Sequence, residues 1–492
     1  LHLSIRRQRQ MCIRDRVTRN ILIDFYRREY SSNRMTLAVA GPQNLDTLQD
    51  WVAGRINRVE NRGLKPHVLP ERYLPHSDRF RELLIKTVKD LRELILIFPL
   101  PSTTRFYRSR PLNMLGFLVG HEGHGSLLSL LKQEGLATGL SAGGGDFTSA
   151  YSSFEIKIQL TPKGLKHRKK VIQRVFQYIR LLRGKSLPRS VYEEVRRMAE
   201  IDYHFDEKIE GTRLVNMFSL LMQIYPLRGV ENDPFLITEY RPRLFDSMLF
   251  RLIPSNMLTL VAARDVKTDQ TETIYGTEYS FNNRSTELLR KWKNLKPHPK
   301  LALPHPNPFL PESLEVVEFR GKVRLTYQSL VGLRREVLGE ELTRNLEKLV
   351  GRNFSGWQEL LSAAGFRGES AEREALEELL AKHALGNPVI LRDDSYTRIW
   401  YQQDFRFQIP KTRIIFRVRS PLIYGSPRNA VLSQLYSDAV SEELNEIGYP
   451  VKLAGMEYSI GVDKKGINLS FSGYSDRILC LLYTSQSPRD RG

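Results

Sequence analysis

The sequence predicts an α+β layer fold, strands packed against helices, in which a strand–helix unit recurs loosely along the chain. Three observations carry this. Short strands recur between helix pairs without a regular strand–helix–strand rhythm. Phe154, Ile156, Ile158 and Leu160 alternate with Glu155, Lys157 and Gln159, the period-two pattern of a half-buried strand. Val171, Ile172, Val175, Ile179 and Leu182 then repeat at three-to-four spacing, the apolar face of a helix.

The elements follow in order. Met35 to Ala40 is expected as a short strand closed by Gly41-Pro42. A helix is expected from about Leu45 to Val59, capped by Asn44, with Leu45, Leu48, Trp51, Val52 and Ile56 on one face. Gly63, Pro66, Pro70 and Pro75 make residues 60–80 read as a linker. Leu91 to Pro99 is expected as a strand, and Pro111 to Val119 and Gly125 to Glu134 as short helices. Thr161-Pro162 starts the next helix, since Thr caps and Pro fits the first position. A second helix is expected over Val191 to Asp206 and a strand over Asn256 to Ala263. Pro304, Pro306, Pro308 and Pro311 mark a second linker at 300–313. Leu314 to Ala384 is charged and helical, rich in Glu, Arg and Leu at Arg334–Leu349 and Ala371–His383. Strand character returns at Trp400-Tyr401, Arg413 to Val418 and Ile467 to Ser472, with a helix around Asn429 to Ile447.

A chain of 492 residues sets a prior of two to four domains. No apolar run approaches the roughly 18 residues of a membrane span, so no such span is expected. The net charge is +20, part of it in the ends: 1–16 hold five Arg and one Asp. The balance attracts acidic peptides, nucleic acid or other polyanions without choosing among them. Aromatic–basic interleaving and a nucleic-acid module are both lacking, which argues against specific nucleic-acid binding. The two cysteines, Cys12 and Cys480, lie near the ends, so the body offers no disulfide framework. Residues 1–16 and 479–492 both carry Arg-Asp-Arg, break the surrounding patterns, and read as non-native, adapter-like ends.

Two glycine-rich breaks bracket the short apolar helix after Ser126: Gly120-His121-Glu122-Gly123-His124-Gly125 before it, and Leu140-Ser141-Ala142-Gly143-Gly144-Gly145 after it. Glycine admits sharp turns and close backbone approach. A strand edge beside them can accept an extended peptide by backbone pairing. His121 and His124 stand three apart with Glu122 between them, the wrong spacing for a metal site, which needs three or four placed ligands. The plainer expectation is a loop whose polar groups bond backbone.

These blocks resemble the insulysin–pitrilysin family of zinc peptidases (M16, the inverted zincins). The likeness runs from about Val17 to Asp476. It includes Phe25-Tyr26, Tyr30 to Met35, Ile97 to Pro101, Tyr107 and His121 through Leu128. It continues at Leu160-Thr161, Gly164-Leu165, Phe176 to Ile179 and Tyr275-Gly276-Thr277. Trp400 to Asp404, Ile409 to Lys411, Leu453 to Gly455 and Gly473 to Asp476 complete it. The resemblance implies four homologous α+β domains closing around a chamber. It divides this chain into the end of the first domain (17–63), a linker (64–80), a second, substrate-anchoring domain (81–299), the linker 300–313, a helical insert (314–386) and the start of a third domain (387–478).

In the family a His-x-x-Glu-His helix of the first domain holds zinc, which activates water against a peptide carbonyl. That motif is absent from this sequence. Zinc is therefore expected in a parent protein and not in this chain. The anchoring site implied by the resemblance comprises Gly120, Glu122, Leu140, Ser141, Ala142 and Gly144, with Glu122 receiving a peptide's ammonium. Ala142 stands where the family commonly has Gly, and Gly144 where a longer polar residue occurs. The expected function is a portion of a zinc metalloendopeptidase that degrades peptides. The alternative is a non-catalytic, peptide-binding homologue or partner subunit. Family members occupy cytosol and bacterial periplasm, and the sequence does not choose between them.

Overall fold

The computed structural model describes residues 19–65, 74–146, 148–206, 209–316, 323–324, 340–355, 357–368, 373, 376, 388–403 and 409–484. The end 1–16, the centre of the first linker, Asp404, residues 485–492 and much of the expected insert, including Arg334 to Gly339 and most of Ala371 to His383, lie outside them. The chain divides into two compact units: 1–307 with 445–449, and 308–444 with 450–492.

The first unit opens with helices α1 (Arg19–Glu29) and α2 (Leu45–Ile56). Then come β1 (Arg81–Lys86), β2 (Arg92–Pro101), α3 (Pro111–Val119), α4 (Leu127–Gln133), β3 (Ala137–Asp146) and β4 (Tyr151–Leu160). Helices α5 (Pro162–Lys166), α6 (Arg168–Lys185), α7 (Arg189–Phe205), α8 (Gly211–Leu221) and α9 (Pro242–Leu249) follow. β5 (Leu258–Ala263), β6 (Gln270–Thr271), β7 (Glu278–Asn283) and α10 (Thr286–Lys293) end it. The strands form one seven-stranded sheet in the order β3-β4-β2-β5-β1-β7-β6. The sheet is antiparallel except for β1 and β5, which pair in parallel. The chain between those two strands runs through β2 to β4 and helices α3 to α9, long enough to return β5 in the same direction as β1.

The core sits between sheet and helices. Leu94, Leu96 and Phe98 of β2 and Phe154, Ile156 and Ile158 of β4 are fully buried, as alternation requires. They meet the predicted face of α6, where Val171, Ile172, Val175, Ile179 and Leu182 are buried together with Phe176 and Tyr178. Asn44 caps α2 by accepting from Thr47 N at 2.9 Å. The strand expected at 35–40 has no strand partner among the described residues, and Met35, Leu37 and Val39 are exposed. Polar contacts hold it instead: Thr36 Oγ1 donates to Ser219 O at 2.6 Å, and Gln223 Nε2 donates to Thr36 Oγ1 at 2.8 Å.

The second unit has short pieces, β8 (Val323–Arg324), α11 (Glu340–Lys348), β9 (Asn353–Phe354) and α12 (Trp357–Ala363), around a small cluster of Leu346, Leu349, Phe354, Leu360 and Leu361. A hairpin of β10 (Val389–Asp393) and β11 (Arg398–Tyr401) follows. β12 (Lys411–Arg419), α13 (Pro427–Glu443), α14 (Asn445–Leu453), β13 (Glu457–Asp463), β14 (Gly466–Tyr474) and α15 (Ile478–Thr484) complete the chain. The sheet order is β12-β14-β13, all antiparallel. The helix expected at Asn429 to Ile447 is thus two helices, and only the first turns of α14 group with the first unit. Residues 479–484, expected as part of a non-native end, continue α15, where Leu481 is buried.

Candidate substrate-anchoring site

The site grows from the packing of α3 on β3. Pro111 opens the helix, and Gly120 closes it by donating from its N–H to Gly116 O at 2.8 Å. Helix and strand approach at backbone distance. A Cβ at Gly116 would lie 3.0 Å from Ala142 O, and one at Gly120 would lie 3.3 Å from Ala142 N. At Gly144 it would lie 2.8 Å from both Leu112 Cδ1 and Ser153 O. These three glycines are needed for the approach itself. Buried Tyr178 adds a tie from α6, donating to Leu118 O at 2.9 Å; burial raises its hydroxyl pKa above the ordinary value.

The turn 121–126 then presents Glu122. His121 is buried, its ring edge-on to Phe117 at 5.8 Å and to Tyr449 at 4.8 Å. Burial lowers its pKa to about 4, so it is neutral at ordinary pH. Its Nδ1 accepts from Gly123 N at 3.1 Å. Gly123 O in turn accepts from Ser126 N at 3.1 Å, and Ser126 caps α4 through Ser129 N. Between these fixed points Glu122 is half-buried, its Oε2 accepting from Asn445 Nδ2 at 3.4 Å. Tyr449 Oη donates to Gly120 O at 3.4 Å. Burial, then the Glu122 charge, pushes the Tyr449 hydroxyl up to about 12.

β3 ends the sheet and, among the described residues, pairs only with β4. Leu140 is buried, Ala142 half-buried, and Ser141, Gly143 and Gly144 exposed. A Cβ at Gly143 or Gly145 would meet nothing within 4 Å. At the far end Asp146 Oδ1 accepts from Thr103 N at 2.8 Å and from the buried Ser152 hydroxyl, which fixes the strand.

Gly120 and Ala142 are thus in contact, Leu140 to Gly144 lie along one edge strand, and Glu122 follows Gly120 by two residues. Gly116 escaped the sequence reading, although a glycine four residues before Gly120 on a helix is a legible signal of close packing. Asn445 and Tyr449 carried no signal, being more than 300 residues away in sequence. The residues of this turn do not fit a zinc ion. The imidazole Nδ1 of His121 is taken by Gly123 N, His124 is exposed, and no three His, Cys, Asp or Glu side chains converge among the described residues.

An edge-stranded sheet backed by helices, with a helix packed at glycine distance against the edge strand, defines a two-layer α+β module. The chain matches the "Peptidase M16 inactive domain" over 16–198 and the "Middle or third domain of peptidase_M16" over 203–330 and 372–486. It is 29% identical over 468 residues to human insulin-degrading enzyme, covering 94% of this chain and 40% of that protein. It is 27% identical to the A-factor-processing enzyme of Saccharomyces cerevisiae, covering 94% and 39%. Crystalline pitrilysin shares its fold with a TM-score of 0.69 at 17% identity, over 96% of this chain and 45% of that one. The chain belongs to the peptidase M16 (insulinase) family, and homologues in that family include zinc metallopeptidases. It spans about two fifths of the length of the curated relatives it matches.

Proposed function

We propose that this chain is the substrate-anchoring portion of a zinc-dependent metalloendopeptidase that degrades peptides within a closed chamber, and that zinc is held elsewhere in the parent protein. The observation that carries the reading is the edge of β3, which among the described residues pairs only with β4, beside the close approach of Gly116 and Gly120 to Ala142, with Glu122 in the adjoining turn. A bound peptide adds as a further strand along Leu140 to Gly144, paired by backbone rather than by side chains. Ser141 and Gly144 are exposed there, while buried Leu140 shapes the strand from beneath. Glu122 takes the peptide's ammonium, with Asn445 Nδ2 donating to the same carboxylate.

Glu122→Gln tests the site. Binding of a short free-amine peptide should fall about tenfold, the loss of one charge-assisted hydrogen bond, with its N-acetyl form unchanged. Equal loss for both peptides would remove Glu122 from this role. The sequence encoded upstream of Val17 tests the class. A His-x-x-Glu-His helix with a further Glu ligand makes the parent a zinc endopeptidase. An intact first domain without those ligands makes it a non-catalytic peptide-binding homologue.

A further inference from the structure

His121 is a buried polar side chain to which the proposed function gives no task. It sits one residue before Glu122 and bonds the N–H one residue after it. A side chain that accepts from the backbone N–H two residues on closes a small ring around the residue between them, as Asn does in an Asx-turn. In this turn that residue is Glu122.

The geometry around the ring is tight. A Cβ at Gly123 would lie 2.7 Å from His121 Cε1 and 3.2 Å from its Nδ1. Position 123 therefore takes glycine so that the imidazole can lie against its backbone. Gly123 O is held by Ser126 N, and Gly120 is held on both sides, its N–H by Gly116 O and its carbonyl by Tyr449 Oη. The imidazole bond is what fixes the Gly123 N–H, and with it the Glu122–Gly123 peptide, within this chain of contacts.

We propose that His121 is a positioning residue for amine recognition: its Nδ1 acceptor fixes the turn that aims the Glu122 carboxylate at a peptide's free amino terminus. This rests on the anchoring role proposed for Glu122. The imidazole acts as an acceptor only when neutral, with its proton on Nε2, and burial keeps it neutral far below physiological pH. Phe117 and Tyr449 hold the ring plane by edge contacts, so the acceptor has one direction.

The test uses the full 492-residue chain and one short peptide in free-amine and N-acetyl forms. The ratio of their dissociation constants is measured for wild type, His121→Phe and His121→Asn. Phe keeps the ring and removes the acceptor, while Asn places an oxygen where Nδ1 was. Wild type should favour the free amine about tenfold. His121→Phe should reduce that ratio to near one, and His121→Asn should restore most of it. A ratio of one in wild type overturns the anchoring reading itself. A tenfold ratio that survives in His121→Phe, or is lost equally in His121→Asn, overturns the positioning role and leaves the anchoring reading standing. If either variant fails to fold, amide exchange of wild-type Gly123 decides: slow exchange supports the bond to His121, and exchange at the rate of an open loop overturns it.

Discussion

The two units hold their sheets by different means. In the first, seven strands are backed by helices whose apolar faces meet a continuous core, and β2 buries every second residue. In the second, β12 is an edge strand among the described residues, with Ile415, Phe416 and Val418 about half exposed, and α13 leaves Leu432, Leu435 and Tyr436 in solvent. The contacts of α13 with its own sheet are partly polar: Ser437 Oγ donates to Ile460 O at 3.1 Å, and Tyr458 Oη donates to Leu444 O at 3.1 Å. Cooperative stability scales with apolar area removed from water, so the first unit should be the stable one. An edge strand with apolar residues on both faces is a surface that natural sheets normally cover.

The largest test of that contrast is a matched pair of truncations. Phe98→Ala removes a fully buried ring that packs edge-on to Phe176 at 6.3 Å, and should cost about 3–5 kcal/mol. Phe416→Ala removes a ring that is 45% exposed and lies edge-on to Phe471 at 6.1 Å, and should cost under about 1 kcal/mol. Denaturant midpoints read both, with buried Trp292 as a fluorescent reporter of the first unit. Similar costs would mean that the second unit's aromatic face is covered in solution.

Charge pairs sharpen the contrast further. Glu82 joins Arg168 at 3.1 Å and Arg284 at 2.8 Å, and the Arg284 side chain is only 5% exposed. Burial raises the Glu82 pKa, but the Arg168 hydrogen bond and the Arg284 and Arg168 charges outweigh it, and the net shift is below the ordinary carboxylate value. Removing the one carboxylate between two guanidinium groups leaves buried positive charge uncompensated. Glu82→Gln should cost about 3 kcal/mol near neutral pH. The sign of the pH dependence follows from the lowered pKa. The contribution is present above the unfolded pKa, near 4.5, and disappears as pH falls through the lower folded value. The gap between wild type and Glu82→Gln should therefore close in acid. Asp393–Arg398 in the second unit is a hairpin pair about half exposed on both sides, and Asp393→Asn should leave the midpoint unchanged.

The residues themselves explain which parts of the molecule were legible. Period-two and three-to-four patterns announced β4 and α6 because each buries one face against its neighbour, which fixes residue type at every position. The parallel pairing of β1 with β5 had no such signal, since each strand looks the same whichever direction its neighbour runs. The run 35–40 has strand pattern without strand structure, because a pattern states what a segment can bury and not whether a partner is present. At the candidate site the glycines were legible as a group, but their division of labour was not. Gly116, Gly120 and Gly144 serve close approach, whereas Gly143 and Gly145 face open space along the edge. The bond made by His121 was hidden because its partner is a backbone N–H, which every sequence supplies.

Helix caps give the finest test, because both units use the same device. Ser126 accepts from Ser129 N at 3.1 Å to start α4, and Ser426 accepts from Asn429 N at 3.1 Å to start α13. The geometry is matched, so the difference lies in the surroundings. Ser126 is 2% exposed within the first unit's core, and its removal leaves a buried N–H that water does not reach. Ser426 is half-buried at the surface, where water replaces the lost acceptor. Ser126→Ala should thus fall near the upper end of the range for lost caps, about 2 kcal/mol, and Ser426→Ala near the lower end, about 0.5 kcal/mol. Equal losses would show that the helix ends of the two units are equally dry, and the contrast between the units would then belong to their sheets alone.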